Sequence, residues 1–255
     1  MPDFPTAFSA VAGSGASAPE ITMQSPQAGR DTNDEEASVD SRADVSTDEV
    51  VNAANAAGSA APPRKRPKPG ERRVQILQTL AAMLEEPGAD RITTAALAAK
   101  LSVSEAALYR HFASKAQMFE GLIEFIEQSI FTLINQITER DTDPALQARR
   151  IVFMLLQFGE KNPGMARVMV GDALVFENER LSARMNQFFD KIESQLRQSL
   201  RAAAEQAGSQ TPTVDANGRA SALTALAVGR LQRFTRSGFK RSPTEQIEMA
   251  LGLLT

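Results

Sequence analysis

The chain has 255 residues, 42% of them apolar and 23% charged, with a formal net charge of −3, no cysteine and one histidine, His111. These values exclude wholesale disorder, a disulfide scaffold, a thiol nucleophile, a cysteine-ligated metal and a multi-histidine zinc site, and they leave almost no material for a serine–histidine triad. No apolar run reaches the roughly eighteen residues that span a bilayer, and the opening MPDFPTAFSAVAGSG lacks the basic region of a secretory signal, so a cytoplasmic chain without membrane contact is expected.

The charge is unevenly placed. Residues 1–62 hold ten acids and two bases, a net −8, whereas the remaining 193 residues hold 21 acids and 26 bases, a net +5. Such a split suggests an acidic tail on a body that meets a polyanion, although +5 over a body of this size is also ordinary. Residues 1–70 are Ala, Ser, Pro, Gly and acid without a sustained apolar period, and cannot bury enough surface to offset their ordering entropy. They are expected to form a disordered tail. It ends in Pro62-Pro63-Arg64-Lys65-Arg66-Pro67-Lys68-Pro69-Gly70, with Arg72 and Arg73 just beyond. Six bases in ten positions, interleaved with proline, make either an extended arm for phosphates or a minor groove, or a solvated linker. If the acidic tail competes with DNA for this arm, deleting residues 1–62 tightens binding at low salt; unchanged affinity would sink the idea.

From Arg72 onward the apolar spacing is helical. Ile76, Leu77, Leu80, Met83 and Leu84 line one face of a first helix that Pro87-Gly88 should end. A second helix is predicted over 94–101 with Thr93 as N-cap, a third over 104–112 opened by Ser104-Glu105, and a fourth from Ser114 to about 138. The fourth carries the stripe Met118, Leu122, Phe125, Ile126, Ile130 and Ile134. Further helices are predicted over 144–158, stopped by Asn162-Pro163-Gly164, then over 165–170, and then over 178–207 on the stripe Leu181, Met185, Phe188, Ile192, Leu196 and Leu200. A loop is expected over 209–218, then helices over 219–236 and 244–254. The class is all-α, with no strand and no internal repeat. The predicted organisation is a tail over 1–70, a small DNA-binding domain over 71–117 and a helical dimerisation and partner-binding domain over 118–255.

Residues 93–112 place two short helices about three residues apart. Leu97, Leu101, Val103, Leu108 and Phe112 can share a core, and Ala98 permits close approach. A generic helical hairpin would look similar, but this is also the layout of a helix-turn-helix whose second helix enters the major groove. The run Leu108-Tyr109-Arg110-His111-Phe112-x-Ser114-Lys115 makes it more specific, because it resembles the DNA-binding domain of the TetR family of regulators. The resemblance implies DNA contacts, mostly to the backbone, from Thr94, Tyr109, His111 and Lys115, with Thr93 beside them. Hydroxyls, an imidazole and an ammonium are suitable phosphate partners. A cation at the start of a helix opposes the dipole, so Lys115 needs an outside reason to be there. Ser102 stands at a turn position where glycine is common, at a cost of up to about 1 kcal/mol if its φ is positive.

Base readout looks sparse. The front of the third helix should be Ser104, Glu105, Ala106 and Ala107; alanine can touch a thymine methyl and Glu105 can accept from cytosine N4. If each protomer of a dimer neutralised four phosphates, log K would fall against log salt with a slope near −7, less steeply if Thr94 and Tyr109 stay uncharged.

The similarity runs past this domain. Ser104-Glu-Ala-Ala-Leu-Tyr-Arg-His-Phe112, Leu122-Ile-Glu-Phe-Ile-Glu127, Phe158-Gly-Glu-Lys-Asn-Pro-Gly164, Arg180-Leu-x-x-Arg184-x-Asn-Gln187 and Arg233-Phe-x-Arg-Ser-x-Phe-Lys240 resemble the nucleoid occlusion branch of the TetR family. That resemblance covers about residues 72–245 and implies two partners, palindromic double-stranded DNA and the C-terminal tail of the tubulin-like division GTPase FtsZ. By position, the tail-binding candidates are Phe125, Met154, Lys161 and Asn162. Phe125 and Met154 are equally consistent with ordinary core packing. Leu133 stands where that branch carries an arginine. The penultimate helix has the stripe Leu223, Leu226, Ala227, Leu231 and Phe234, with Ala222, Ala225 and Gly229 small enough for a partner helix to approach; the resemblance implies a homodimer through the last two long helices.

Two other functions compete with this one. A ligand-responsive TetR-type repressor would need an internal cavity, and an enzyme would need more than the carboxylates Glu124, Glu127 and Asp172 in helical, solvent-like contexts. No catalytic residue, metal or cofactor is expected, and localisation should be cytoplasmic and nucleoid-associated.

Overall fold

The computed structural model describes residues 70–86 and 91–255, which lie in one compact unit. The tail, the Pro-rich arm as far as Pro69, and the Pro87-Gly88 stop lie outside the described residues. The order is α1 (Glu71–Glu85), α2 (Thr94–Lys100), α3 (Glu105–Tyr109), α4 (Lys115–Arg140), α5 (Pro144–Lys161), α6 (Pro163–Met169), a 3₁₀ turn (Asp172–Leu174), α7 (Glu179–Gln206), α8 (Pro212–Arg236) and α9 (Ile247–Leu254). Among the described residues there is no strand.

The starts of the helices are set by side chains seen in the sequence. Thr93, Ser104, Ser114, Asp143 and Asn178 each accept a hydrogen bond from a backbone N–H of the first turn they precede. These caps satisfy donors that a helix leaves open at its N-terminus. The stripes of α4 and α7 are buried as spaced, with Phe125 alone at the half-buried edge. Together with Ile76, Leu80 and Leu84 of α1 and Ile151, Leu155 and Leu156 of α5 they form one continuous apolar cluster.

Three boundaries differ from expectation. Residues 212–218 are the first turns of α8, not loop, because Pro212 sits at N1, where its missing N–H costs nothing. The helix α3 is only five residues long, ending at Tyr109, so His111 lies beyond it. The Asn162-Pro163-Gly164 stop is a one-residue joint: α5 runs on to Lys161, Asn162 caps both helices, and Pro163 opens α6. Gly164 is there for a close approach, since a Cβ on it would lie 2.1 Å from the Ala81 carbonyl oxygen of α1. α6 therefore ties the DNA-binding end of the chain to the body. α4 does the same by running unbroken through residue 117, where the sequence predicts a domain boundary.

Candidate nucleic-acid interface

The helices α2 and α3 form a hairpin around Leu97, Ala98, Leu108 and Phe112, each at most 3% exposed. The turn between them is closed by Ser102 N–H to Ala99 O (3.0 Å) and Val103 N–H to Ala98 O (3.0 Å). Ser102 has φ 54°, the left-handed conformation that favours glycine, so the serine is strained there. α3 is too short to persist alone; its cap and its buried Leu108 hold it.

The exposed edge collects most of the predicted contacts. Thr93 and Ser104 are exposed and accept through their hydroxyl oxygens from Ala96 N–H (3.1 Å) and Ala107 N–H (3.3 Å). Each keeps its own hydroxyl proton, which a phosphate oxygen can accept. Thr94 differs: its hydroxyl donates to the Glu105 carboxylate at 2.5 Å. Glu105 and Ala106 are exposed, Ala107 is half-buried, and Tyr109 is 45% exposed. His111 is exposed, just past α3.

Two residues in this neighbourhood carry no site signal in the sequence. The Arg73 guanidinium donates to the His111 carbonyl at 2.7 Å and lies 4.1 Å from the centre of the Phe112 ring. It therefore anchors the start of α1 to the end of the recognition helix. Spacing marks it only as one member of the basic run. Glu177, from the segment after the 3₁₀ turn, forms an ion pair with Lys115 in a part-buried position, with Lys115 also 5.7 Å from the Phe119 ring centre. That carboxylate supplies the reason for a cation at the start of α4. It lies 62 residues away, beyond the reach of local spacing.

The predicted partner surface is divided. Phe125 is half-buried on α4, Lys161 is exposed at the end of α5, and Asn162 is half-buried at the joint, donating from its amide to Phe158 O at 2.8 Å. Met154 is only 4% exposed and belongs to the core, so its expected contact with a partner has no surface to act through. Leu133 is half-buried and packs against the core. Beside this corner, the Glu160 carboxylate accepts from the hydroxyls of Ser242 and Thr244 (2.7 Å for Thr244), fixing the α8–α9 connection to α5. The three carboxylates considered for catalysis all have partners: Glu124 accepts from the Gln128 amide (3.4 Å), Glu127 pairs with Arg184 (2.6 Å) and Lys191 (3.8 Å), and Asp172 accepts from Thr235 (2.9 Å). Among the described residues no group of acids and histidine is arranged to hold a metal, and no helix is long and apolar enough to cross a membrane.

The geometry is that of a helix-turn-helix on an all-helical body, and the comparisons agree. Residues 76–122 match the family described as bacterial regulatory proteins, tetR family, and residues 143–255 match the SlmA-like tetracyclin repressor-like C-terminal domain. Solved structures with the same fold include the transcriptional regulator FadR from Bacillus subtilis in complex with stearoyl-CoA (TM-score 0.57, 14% identity, 71% of this chain and 96% of that one). Another is the TetR family transcriptional regulator PfmR from Thermus thermophilus (TM-score 0.57, 21% identity, 71% and 94%). Curated relatives are much nearer in sequence. The nucleoid occlusion factor SlmA of Vibrio vulnificus (strain YJ016) is 51% identical over 189 residues, 74% of this chain and 96% of that protein. SlmA of Salmonella typhi is 52% identical over 178 residues, 69% and 89%. The chain belongs to the nucleoid occlusion factor SlmA family, within the tetR-type regulators.

Proposed function

We propose that this chain is a dimeric, sequence-specific DNA-binding protein that acts as a nucleoid occlusion factor, recognising palindromic chromosomal sites and antagonising FtsZ ring assembly over the nucleoid. The observation that carries this reading is the match to curated SlmA proteins at about half identity over 89–96% of their length, together with the exposed polar edge of the α2–α3 hairpin. Thr93, Ser104, Tyr109 and His111 meet phosphates, the front of α3 faces the major groove, and Lys115 joins them when it leaves Glu177. The bases over 64–68 precede Arg73 in the chain and add to the positive charge available to DNA. The protein works in the cytoplasm, on the nucleoid.

Dimerisation uses the outer face of α8 and α9. The apolar residues Leu223, Ala227, Leu231 and Phe234 are buried inward. Outward stand Val214 (68% exposed), Gly218, Ala222, Ala225 and Gly229 at three- and four-residue steps, and Met249 and Leu253 of α9 are exposed as well. A Cβ added at Gly218 or Gly229 would meet nothing within 4 Å in this chain. A second copy can approach such a face closely, and two-fold symmetry then places two half-sites about 34 Å apart.

The FtsZ tail docks against α4 and the end of α5, with Phe125 as apolar contact and Lys161 and Asn162 as the polar corner. A short peptide carrying both charge and leucines suits that pairing. A ligand-responsive repressor would need an internal cavity; Ile126, Ile130, Ile151, Leu155, Phe188 and Leu223, all at most 1% exposed, pack where the body helices meet.

Mapping the protein on the chromosome in living cells tests the reading. Many palindromic sites, spread widely and depleted near the replication terminus, are expected. A few promoter sites would make it a repressor instead. Lys161→Ala should weaken binding of an FtsZ tail peptide to the DNA-bound dimer and leave DNA affinity unchanged; equal loss of both would remove Lys161 from the tail site.

A further inference from the structure

We infer that Thr94 is not a phosphate contact but a positioning residue for Glu105, and that Glu105 makes the recognition helix select cytosine at one position of each half-site. This rests on the DNA-binding reading above and goes beyond it by assigning a base.

The argument begins with a proton. Phosphate oxygens only accept hydrogen bonds, so a hydroxyl serves them only by donating. Of the three serine and threonine hydroxyls predicted to face DNA, Thr93 and Ser104 accept from backbone N–H groups and keep their protons available. Thr94 has already committed its proton to Glu105, at 2.5 Å, across the two helices. Its oxygen can then only accept, which gives a phosphate nothing.

The second step is the placement of the carboxylate. Glu105 is exposed at the first residue of α3, and among the described residues no cation pairs with it. Lys100, the basic residue that precedes it in the chain, is engaged by Glu86. An unpaired carboxylate facing DNA is repelled by the backbone and gains only where the groove presents a donor. In the major groove the donors are cytosine N4 and adenine N6, whereas guanine offers two acceptors and thymine an acceptor and a methyl. An ionised carboxylate accepts and never donates, so it lacks the donor that adenine N7 would require of a bidentate partner. Cytosine is the base it fits.

The neighbours support this. Ala106 is exposed and Ala107 half-buried, so neither of the two residues that follow Glu105 has a side chain long enough to compete for the same base edge. A free glutamate has several rotamers to lose on reaching a base; the bond from Thr94 has fixed one oxygen beforehand and leaves the other to face the groove. Thr94 is held in turn by α2, whose start Thr93 caps.

The experiment is selection of DNA from a randomised duplex library by the full-length protein, followed by affinities for the selected site and its single-base variants. The wild type is expected to favour C·G over the other pairs at one position per half-site by about tenfold or more. Glu105→Ala should abolish that preference while raising affinity for non-selected DNA, and Glu105→Gln should shift it toward adenine. Thr94→Val should reduce the same preference several-fold without weakening binding to other sequences, and Thr94→Ser should restore it. Circular dichroism and thermal melting of each variant separate loss of folding from loss of selection. If Thr94→Val weakens all sequences equally and leaves the preference intact, Thr94 is a phosphate contact and the inference fails. If Glu105→Ala leaves the preference intact, the cytosine assignment fails. If the wild type selects no duplex at all, it is the DNA-binding reading that fails, and the assignment with it.

Discussion

The recognition hairpin and the helical body are held by different physics. α2 and α3 have seven and five residues, below the length at which helices persist in water. They rely on two hydroxyl caps, at Thr93 and Ser104, and on four buried side chains. α7 and α8 have 28 and 25 residues and bury long apolar stripes against each other and against α4 and α5. The hairpin places its polar groups on an exposed edge and keeps little apolar surface for stability, whereas the body does the reverse. A DNA reader needs its side chains outside, and the structure compensates by bolting the hairpin to the body through α4, Gly164 and the Lys115–Glu177 pair.

Core truncation sharpens this contrast most. Phe188→Ala, which removes a fully buried ring packed edge-on against Phe131 and Phe189, should cost about 3–5 kcal/mol and lower the melting temperature of the whole chain. Leu108→Ala should cost about 2–5 kcal/mol, but locally. Hydrogen exchange is expected to speed across α2–α3 while α7–α8 stay protected. If exchange rises uniformly in Leu108→Ala, the two regions are one cooperative unit and the contrast is broken.

The bolts come next. Gly164→Ala forces α6 off α1 and should cost about 1–3 kcal/mol by denaturant unfolding, with a loss of DNA affinity that a purely local effect would not produce. A double-mutant cycle of Lys115→Met with Glu177→Gln should give a coupling of about 1–2 kcal/mol, since the pair is partly shielded from solvent. Glu177→Gln alone should tighten DNA binding by releasing Lys115 to phosphate, and should steepen the salt dependence by about one unit per protomer.

Smaller effects test local devices at the start of α4 and in the hairpin turn. Ser114→Ala should cost about 1 kcal/mol, measured in the same unfolding series, because Gln117 N–H loses its acceptor. Ser102→Gly should stabilise by about 0.5 kcal/mol, the relief of a left-handed serine less the extra freedom glycine brings to the unfolded chain.

The body is legible in the sequence because its signal is periodic: a stripe such as Leu181 to Leu200 repeats often enough to fix both type and face. The hairpin is legible for another reason, the hydroxyl caps and the Leu108–Lys115 run. What spacing does not show are contacts between residues far apart in the chain. Arg73 reads as the last base of the basic run, at the start of the first helix, yet it reaches His111 across 38 residues. Gly164 reads as a helix stop because Pro-Gly usually is one; the need for glycine comes instead from the Ala81 carbonyl. The expected loop over 209–218 fails because its Pro, Gly and polar residues also suit the exposed opening turns of a helix begun by Pro212. Met154, a partner candidate by position and a core residue by spacing, is 4% exposed, so the structure places it as the spacing alternative has it.

α4 holds a mechanical consequence. Its 26 residues make a rod about 39 Å long. Lys115 sits at one end of this rod, and Phe125, in the proposed seat of the division-protein tail, lies about 15 Å along it. A helix without a break cannot swing one end and leave the other where it was. Were the first turn to settle onto a phosphate as proposed, the tilt of the rod would pass, as through a lever arm, to the place where the second partner would press.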